Sequence, residues 1–212
     1  MTTEPRPRPD WLALVAVTIT VVIHEILTAL NHRPNVWFIF GSALFWVGYA
    51  IVRARQDPAI LRRWGFGVTN LLPASGAAAL IFAVAAAALA AWAWWQDTLR
   101  FPAHALVLLF FYPIWGLIQQ FVTLAIIVGN LQRLPGLEHR RWLVWLAGVL
   151  LFGSIHAYDA RLAVATAVLE MAVIPLYWRF GNLWPLGFLH GWTGALFYLW
   201  GLNIDMWELT FG

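Results

Sequence analysis

Long apolar runs alternate with short polar breaks along almost the whole chain. The runs lie near 11–30, 36–52, 71–95, 103–129, 142–157, 162–178 and 184–202. Each approaches the ~20 residues that a helix needs to cross the hydrocarbon core of a bilayer. No polar stretch between them is long enough to make a soluble domain. The pattern therefore predicts an all-α polytopic bundle of about seven transmembrane helices, a single membrane domain over 11–212. The polar, Pro-rich tail at 1–10, MTTEPRPRPD, lacks the basic, apolar, small-residue order of a cleaved signal. The first run is therefore expected to remain as a helix. The third run, ASGAAALIFAVAAAALAAWAWW, is rich in Ala, and small residues permit close helix approach. It is expected inside the bundle, doing no chemistry.

Composition strengthens this picture. Of 212 residues 62% are hydrophobic and 11% charged, and the mean hydropathy is +0.72; a soluble domain carries about 25% charged residues. All 13 basic residues are Arg. Ten of them (Arg6, Arg8, Arg53, Arg55, Arg62, Arg63, Arg133, Arg140, Arg141, Arg179) fall in the N-terminal tail and alternate loops, against three (Arg33, Arg100, Arg161) on the other side. The positive-inside rule places the N-terminus in the cytoplasm and the C-terminus outside. Trp11, Trp37, Trp94, Trp95, Trp142, Trp184 and Trp207 cluster near expected helix ends, where an indole can keep its N–H among headgroups. The segment 53–70, RARQDPAILRRWGFGVTN, mixes Arg with Leu61, Trp64 and Phe66. It reads either as a headgroup-region segment with its cations near anionic lipid or as a plain basic loop. The absence of cysteine excludes disulfides, thiolate nucleophiles and Cys-ligated metals. Nothing points to nucleic acid.

Polar side chains stand where hydrocarbon is expected. In "GLIQQFVTLAII", at 116–127, Gln119 and Gln120 are adjacent. His24 and Glu25 lie in the first span, His156 near the end of the fifth, Glu170 in the middle of the sixth and His190 in the seventh. A charge at a helix centre costs at least ~2.5–3.5 kcal/mol, so each needs a reason. Singly, each has an ordinary one: a packed, hydrogen-bonded His, a protonated Glu on a carbonyl, or amides holding helices together at ~0.6 kcal/mol a bond. Together they could line one polar cavity, and Pro113, Pro175, Pro185, Gly153, Gly187, Gly191 and Gly194 mark interrupted or thin helices beside it. His104 begins the fourth span and counts for less. By simple counting His156 falls toward the outer side and His190 toward the inner half.

From the fourth run to the seventh the chain resembles the CPBP family of intramembrane proteases, which includes type II CAAX prenyl endopeptidases and bacterial bacteriocin-processing or abortive-infection proteins. "FGSIH", Phe152 to His156, matches that family's Phe-x-x-x-His motif, and "YWRFGNLWPLGFLHGW" resembles its lead-in to the third-motif His, at His190. "LRRWGFGV" before the third span resembles its cytoplasmic lead-in. The resemblance implies a core of helices over about 103–202 and, with the bacterial members, a bacterial inner membrane. It also sets Gln119 and Gln120 at the family's paired glutamates, Leu124 at its Arg, and Gly194 at its Asn or Asp. A Gln amide cannot accept a proton at useful pH, so the usual glutamate-protease mechanism does not carry over.

Three readings follow. The first is a rewired intramembrane enzyme acting on a hydrophobic or lipid-linked substrate, with Glu170 or Glu25 as base, His156 and His190 orienting it, and Gln119 and Gln120 binding substrate or water. A divalent metal, Zn or Fe, held by His24, His156, His190, Glu170 and Glu25, is a variant of it; the "HE" at 24–25 is not a zincin motif. The second is an inactive scaffold that binds a partner helix, lipid or pigment, or serves a larger membrane complex. The third, a proton or solute path, is disfavoured by the absence of a repeat. Position separates them: catalytic groups converge on one cavity, a relay crosses the bilayer, and helix-joining residues scatter among helix pairs.

Overall fold

The computed structural model describes residues 8–207; Arg6 and most of the 1–10 tail lie outside the described residues. Among the described residues every regular element is helical: α1 (Trp11–Asn31), α2 (Val36–Gln56), α3 (Ile60–Arg63), α4 (Leu71–Trp95), α5 (Ala105–Gln120), α6 (Gly129–Leu131), α7 (Arg141–Ser154), α8 (Ala160–Phe180) and α9 (Trp184–Leu196). A wider-turned π-helix, Phe121–Val128, joins α5 to α6, and a second, Phe197–Gly201, extends α9. The segments at 11–31, 36–56, 71–95, 105–131 and 160–180 are each long and apolar enough to cross a bilayer. The protein is an integral membrane protein on this ground. α7 has 14 residues and measures ~21 Å, short of the ~30 Å core. His156, expected inside a span at 142–157, lies in the turns that follow α7.

Local signals account for where helices start. Asp10 caps α1 by accepting the backbone N–H of Ala13 at 3.0 Å, and Asn35 caps α2 by accepting that of Phe38 at 3.0 Å. Arg53 and Arg55 occupy the last turn of α2, where they complement the exposed carbonyls.

The chain divides into two compact units. The first comprises Met1–Ile60 and Phe121–Pro175. At one end of it Asp10 ties three segments together: its backbone N–H donates to Asn130 Oδ1 (2.7 Å), Tyr49 donates to its Oδ2 (2.9 Å), and Arg53 pairs with it at 3.3 Å. The start of α1, the end of α2 and the end of α6 thus share one end, as the arginine alternation requires. α7 lies against α8 and the first π-helix through glycines. A Cβ on Gly148 would meet Ile174 Cδ1 at 2.8 Å and Val128 Cγ2 at 3.1 Å, and one on Gly153 would meet Ala167 Cβ at 3.1 Å.

The second unit comprises Leu61–Gln120 and Leu176–Gly212, and in it α9 packs on α4 and α5. α4 is not the enclosed helix its Ala content suggests. Only Ala74, Ala78 and Ala93 are buried, and Leu72, Leu80, Val84 and Trp94 are exposed. Small residues on one face suffice for close approach to α9, which leaves the larger ones outside. Pro113 does not interrupt its helix either. It lacks the N–H that would bond the carbonyl of Leu109, and Trp192 Nε1 donates to that carbonyl at 2.9 Å instead. The first unit repeats the device: Pro175 frees the carbonyl of Met171, which accepts from Trp145 Nε1 at 3.1 Å.

Candidate functional site

His190 sits between the two glutamines. Gln119 and Gln120 close α5, and successive helical residues point about 100° apart, so one imidazole fits between their amides. His190 Nε2 lies 2.9 Å from Gln119 Oε1, and Gln120 Nε2 lies 3.1 Å from His190 Nδ1. A carbonyl oxygen only accepts, so Nε2 carries the hydrogen and Nδ1 receives one from Gln120. The amide orientations and the neutral Nε2–H tautomer form one self-consistent set. His190 is 6% exposed and Gln120 fully buried.

Backbone contact between α5 and α9 makes this geometry reachable. A Cβ on Gly116, Gly187 or Gly191 would come within 3.0 Å of facing backbone: Gly116 against Gly187 and Gly191, Gly187 against Leu117, Gly191 against Pro113. Gly187-x-x-x-Gly191 is a small-xxx-small pair with His190 inside it. Gly194, by contrast, faces only the Tyr112 ring at ordinary contact, 3.8 Å.

The remaining expected site residues lie in the first unit and serve other ends. His156 Nδ1 donates to the carbonyl of Phe152 (2.8 Å), and His24 Nε2 donates to that of Ile155 (3.2 Å). Both carbonyls belong to the C-terminal end of α7, which lacks helical partners for them, so both imidazoles act there as caps. Glu170 is fully buried on the α8 stripe formed with Leu162, Thr166, Val173 and Ile174. Glu25 is exposed on α1. It therefore does not enter a buried site as base or ligand, because it lies one helical step, ~100°, from the inward-leaning His24. Among the described residues no three His, Cys, Asp or Glu side chains gather where they could hold an ion. The histidines are spent on amides and helix-end carbonyls.

A cavity of about 10 Å³ in the second unit is lined by Phe101, Ala105, Leu108, Leu109, Ala195, Leu196 and Leu199, all apolar. It reaches neither glutamine.

Two polar groupings escaped the sequence reading. Asp10, assigned to the tail, is the centre of the Tyr49–Arg53–Asn130 tie. His104, given little weight, lies 2.7 Å from the buried Asp205 carboxylate and stacks on Trp207 at 5.9 Å. Separations of 39 to 120 residues between these partners hid them; an acid just before a Trp-led span was the available signal for Asp10. Against known proteins, no family model matches the chain, and no curated protein or solved structure is similar to it.

Proposed function

We propose that this chain is a non-catalytic membrane scaffold of CPBP-like design, which binds a partner helix or lipid rather than turning over a substrate. Seven crossing segments belong to this reading, the five long helices with the α7 and α9 regions added, and the N-terminus is cytoplasmic. One observation carries it. Gln119 and Gln120 occupy both ring nitrogens of His190, so its imidazole offers no free lone pair to a metal and no open proton site to a substrate. The polar residues also scatter among helix pairs, which is the pattern of groups that join helices.

The rewired-enzyme reading keeps one observation in its favour. The first π-helix begins at Phe121, directly after Gln120, and π segments recur at functional sites. The test is hydrolysis of a prenylated peptide and of a transmembrane peptide by the reconstituted protein, wild type beside His190→Ala. The scaffold reading predicts the same background rate in both. A rate that depends on His190 would establish the enzyme instead.

A further inference from the structure

Among the described residues α1 makes few polar bonds to the rest of the first unit. Its start is tied through Asp10, while Thr18, Thr20 and Asn31 bond only to carbonyls of α1 itself. Beyond that start, His24 is the one described α1 side chain that bonds to another segment, through Nε2 to the Ile155 carbonyl at 3.2 Å. The residue after Ile155 is His156, whose Nδ1 bonds to the Phe152 carbonyl at 2.8 Å. Two imidazoles thus share the last turn of α7. Each has one N–H on a backbone carbonyl and one nitrogen left to take a proton.

No acid answers this pair, for neither histidine makes an ion pair among the described residues. On α1 the adjacent Glu25 is exposed, and His32 and Arg33 lie about two turns beyond His24. In the turns after α7 the Tyr158 ring stands 6.4 Å from that of His156, and Asp159 is bridged to Arg161 at 2.9 Å. On α8, Glu170 is ~10 Å along the helix from Ala163, which faces Gly153. The first π-helix carries no titratable side chain. Proton uptake therefore sets two like charges together at a half-buried place. Burial lowers the His156 imidazole to about 4; the Phe152 carbonyl opposes that shift and the charge of His24 adds to it. An imidazole lowered from its ordinary 6.5 binds fewer protons in the closed form than in the open one. The closed form is thus favoured at neutral pH and weakens as pH falls from about 6.5 toward 4.

We propose that His24 and His156 form an acid-sensitive latch between α1 and the end of α7, closed while the pair is uncharged and released when it takes up protons. Paired histidines without a counter-ion are suited to this task, because their charge changes in mildly acid surroundings. Release removes the polar bond that holds α1 beyond its Asp10 end. The inference is independent of whether the protein turns over a substrate.

The experiment is amide hydrogen exchange of the full chain in nanodiscs at about pH 7.5 and about pH 5, corrected for the intrinsic pH dependence of exchange. The amides of Ile155, His156 and Ala157 donate to the carbonyls of Leu151, Gly153 and Ser154, so they report on the latch. Their opening should rise about tenfold on acidification, the partial exposure of His156 holding it below the full linkage effect. Asp159, held below the ordinary carboxylate range, keeps its charge throughout. His156→Gln retains an N–H donor but takes up no proton, and should cut the rise to about twofold or less. His24→Gln, which removes only the neighbouring charge, should leave a smaller rise than wild type. No rise in wild type, or a full rise in His156→Gln, would overturn the proposal. So would an equal rise at the amides of α9, which would mean general loosening in acid. If circular dichroism shows that His156→Gln loses its helices, His24→Gln decides: a smaller rise supports the latch and an unchanged one overturns it.

Discussion

The α5–α9 pair of the second unit and the α7–α8 pair of the first meet the same difficulty in the same way. Each has a proline inside a membrane helix, each takes up the carbonyl that proline frees with a Trp N–H from the facing helix, and each brings its backbones close with glycine. They part company at their polar residues. α5–α9 encloses an imidazole whose two nitrogens are both answered by amides of the facing helix. α8 encloses Glu170 on its buried stripe, while the histidine beyond α7 caps α7's own carbonyls. The difference teaches that an ionisable residue in a span is explained by what its hydrogen bonds reach, not by its presence.

Breaking the closest approach should have the largest effect. Gly191→Leu drives a side chain into the backbone at Pro113 and should cost ~3 kcal/mol or more, read as loss of folded protein in detergent. Gly194→Leu, with only the Tyr112 ring to displace, should cost far less. Next comes His190→Ala, which removes the hydrogen bonds that the imidazole makes with Gln119 and Gln120. It should lower unfolding free energy by ~1–3 kcal/mol, whereas His24→Ala, at a half-buried helix end, should fall below it.

Much of the helix pattern was legible. The runs at 11, 36, 71 and 184 begin where the structure begins its helices, because a change from polar to apolar residues marks a membrane edge directly. The π-helix at Phe121–Val128 was not legible, since Phe-Val-Thr-Leu-Ala-Ile-Ile-Val reads equally well at either winding. Pro113 and Pro175 were read as breakers because the sequence shows the missing N–H but not the Trp that compensates for it. At the site, Gln119, Gln120 and His190 stand out in the sequence as polar residues in apolar runs, and the structure brings the three into hydrogen-bond contact. The exposure of Glu25 was not legible, because one residue's step around a helix separates an inward face from an outward one. Partners such as Asp10 and Asn130, 120 positions apart, are invisible until the chain is folded.

The proline–tryptophan device gives a smaller, sharper test. Trp192→Phe should cost ~1 kcal/mol by orphaning the Leu109 carbonyl. In a Pro113→Ala background, where residue 113 supplies its own N–H, most of that cost should vanish, and a cycle of unfolding free energies measures it. The smallest effect is outside the membrane. The Arg161 hydrogen bond holds the Asp159 carboxyl below the ordinary carboxylate range. A lowered acid stabilises the fold above its ordinary pKa of about 3.9 and loses that contribution as pH falls through its folded value. Arg161→Gln should therefore differ slightly from wild type at pH 6 in thermal melts, and the difference should close below about pH 4.

The most direct measurement is the coupling energy between His190 and Gln120, from the unfolding free energies of His190→Ala, Gln120→Ala and the double variant in bicelles. If these groups are spent on one another, the two costs overlap by about 1 kcal/mol, within the range for hydrogen bonds between membrane helices. Strict additivity would contradict the account, because it would show His190 and Gln120 acting independently and available for chemistry.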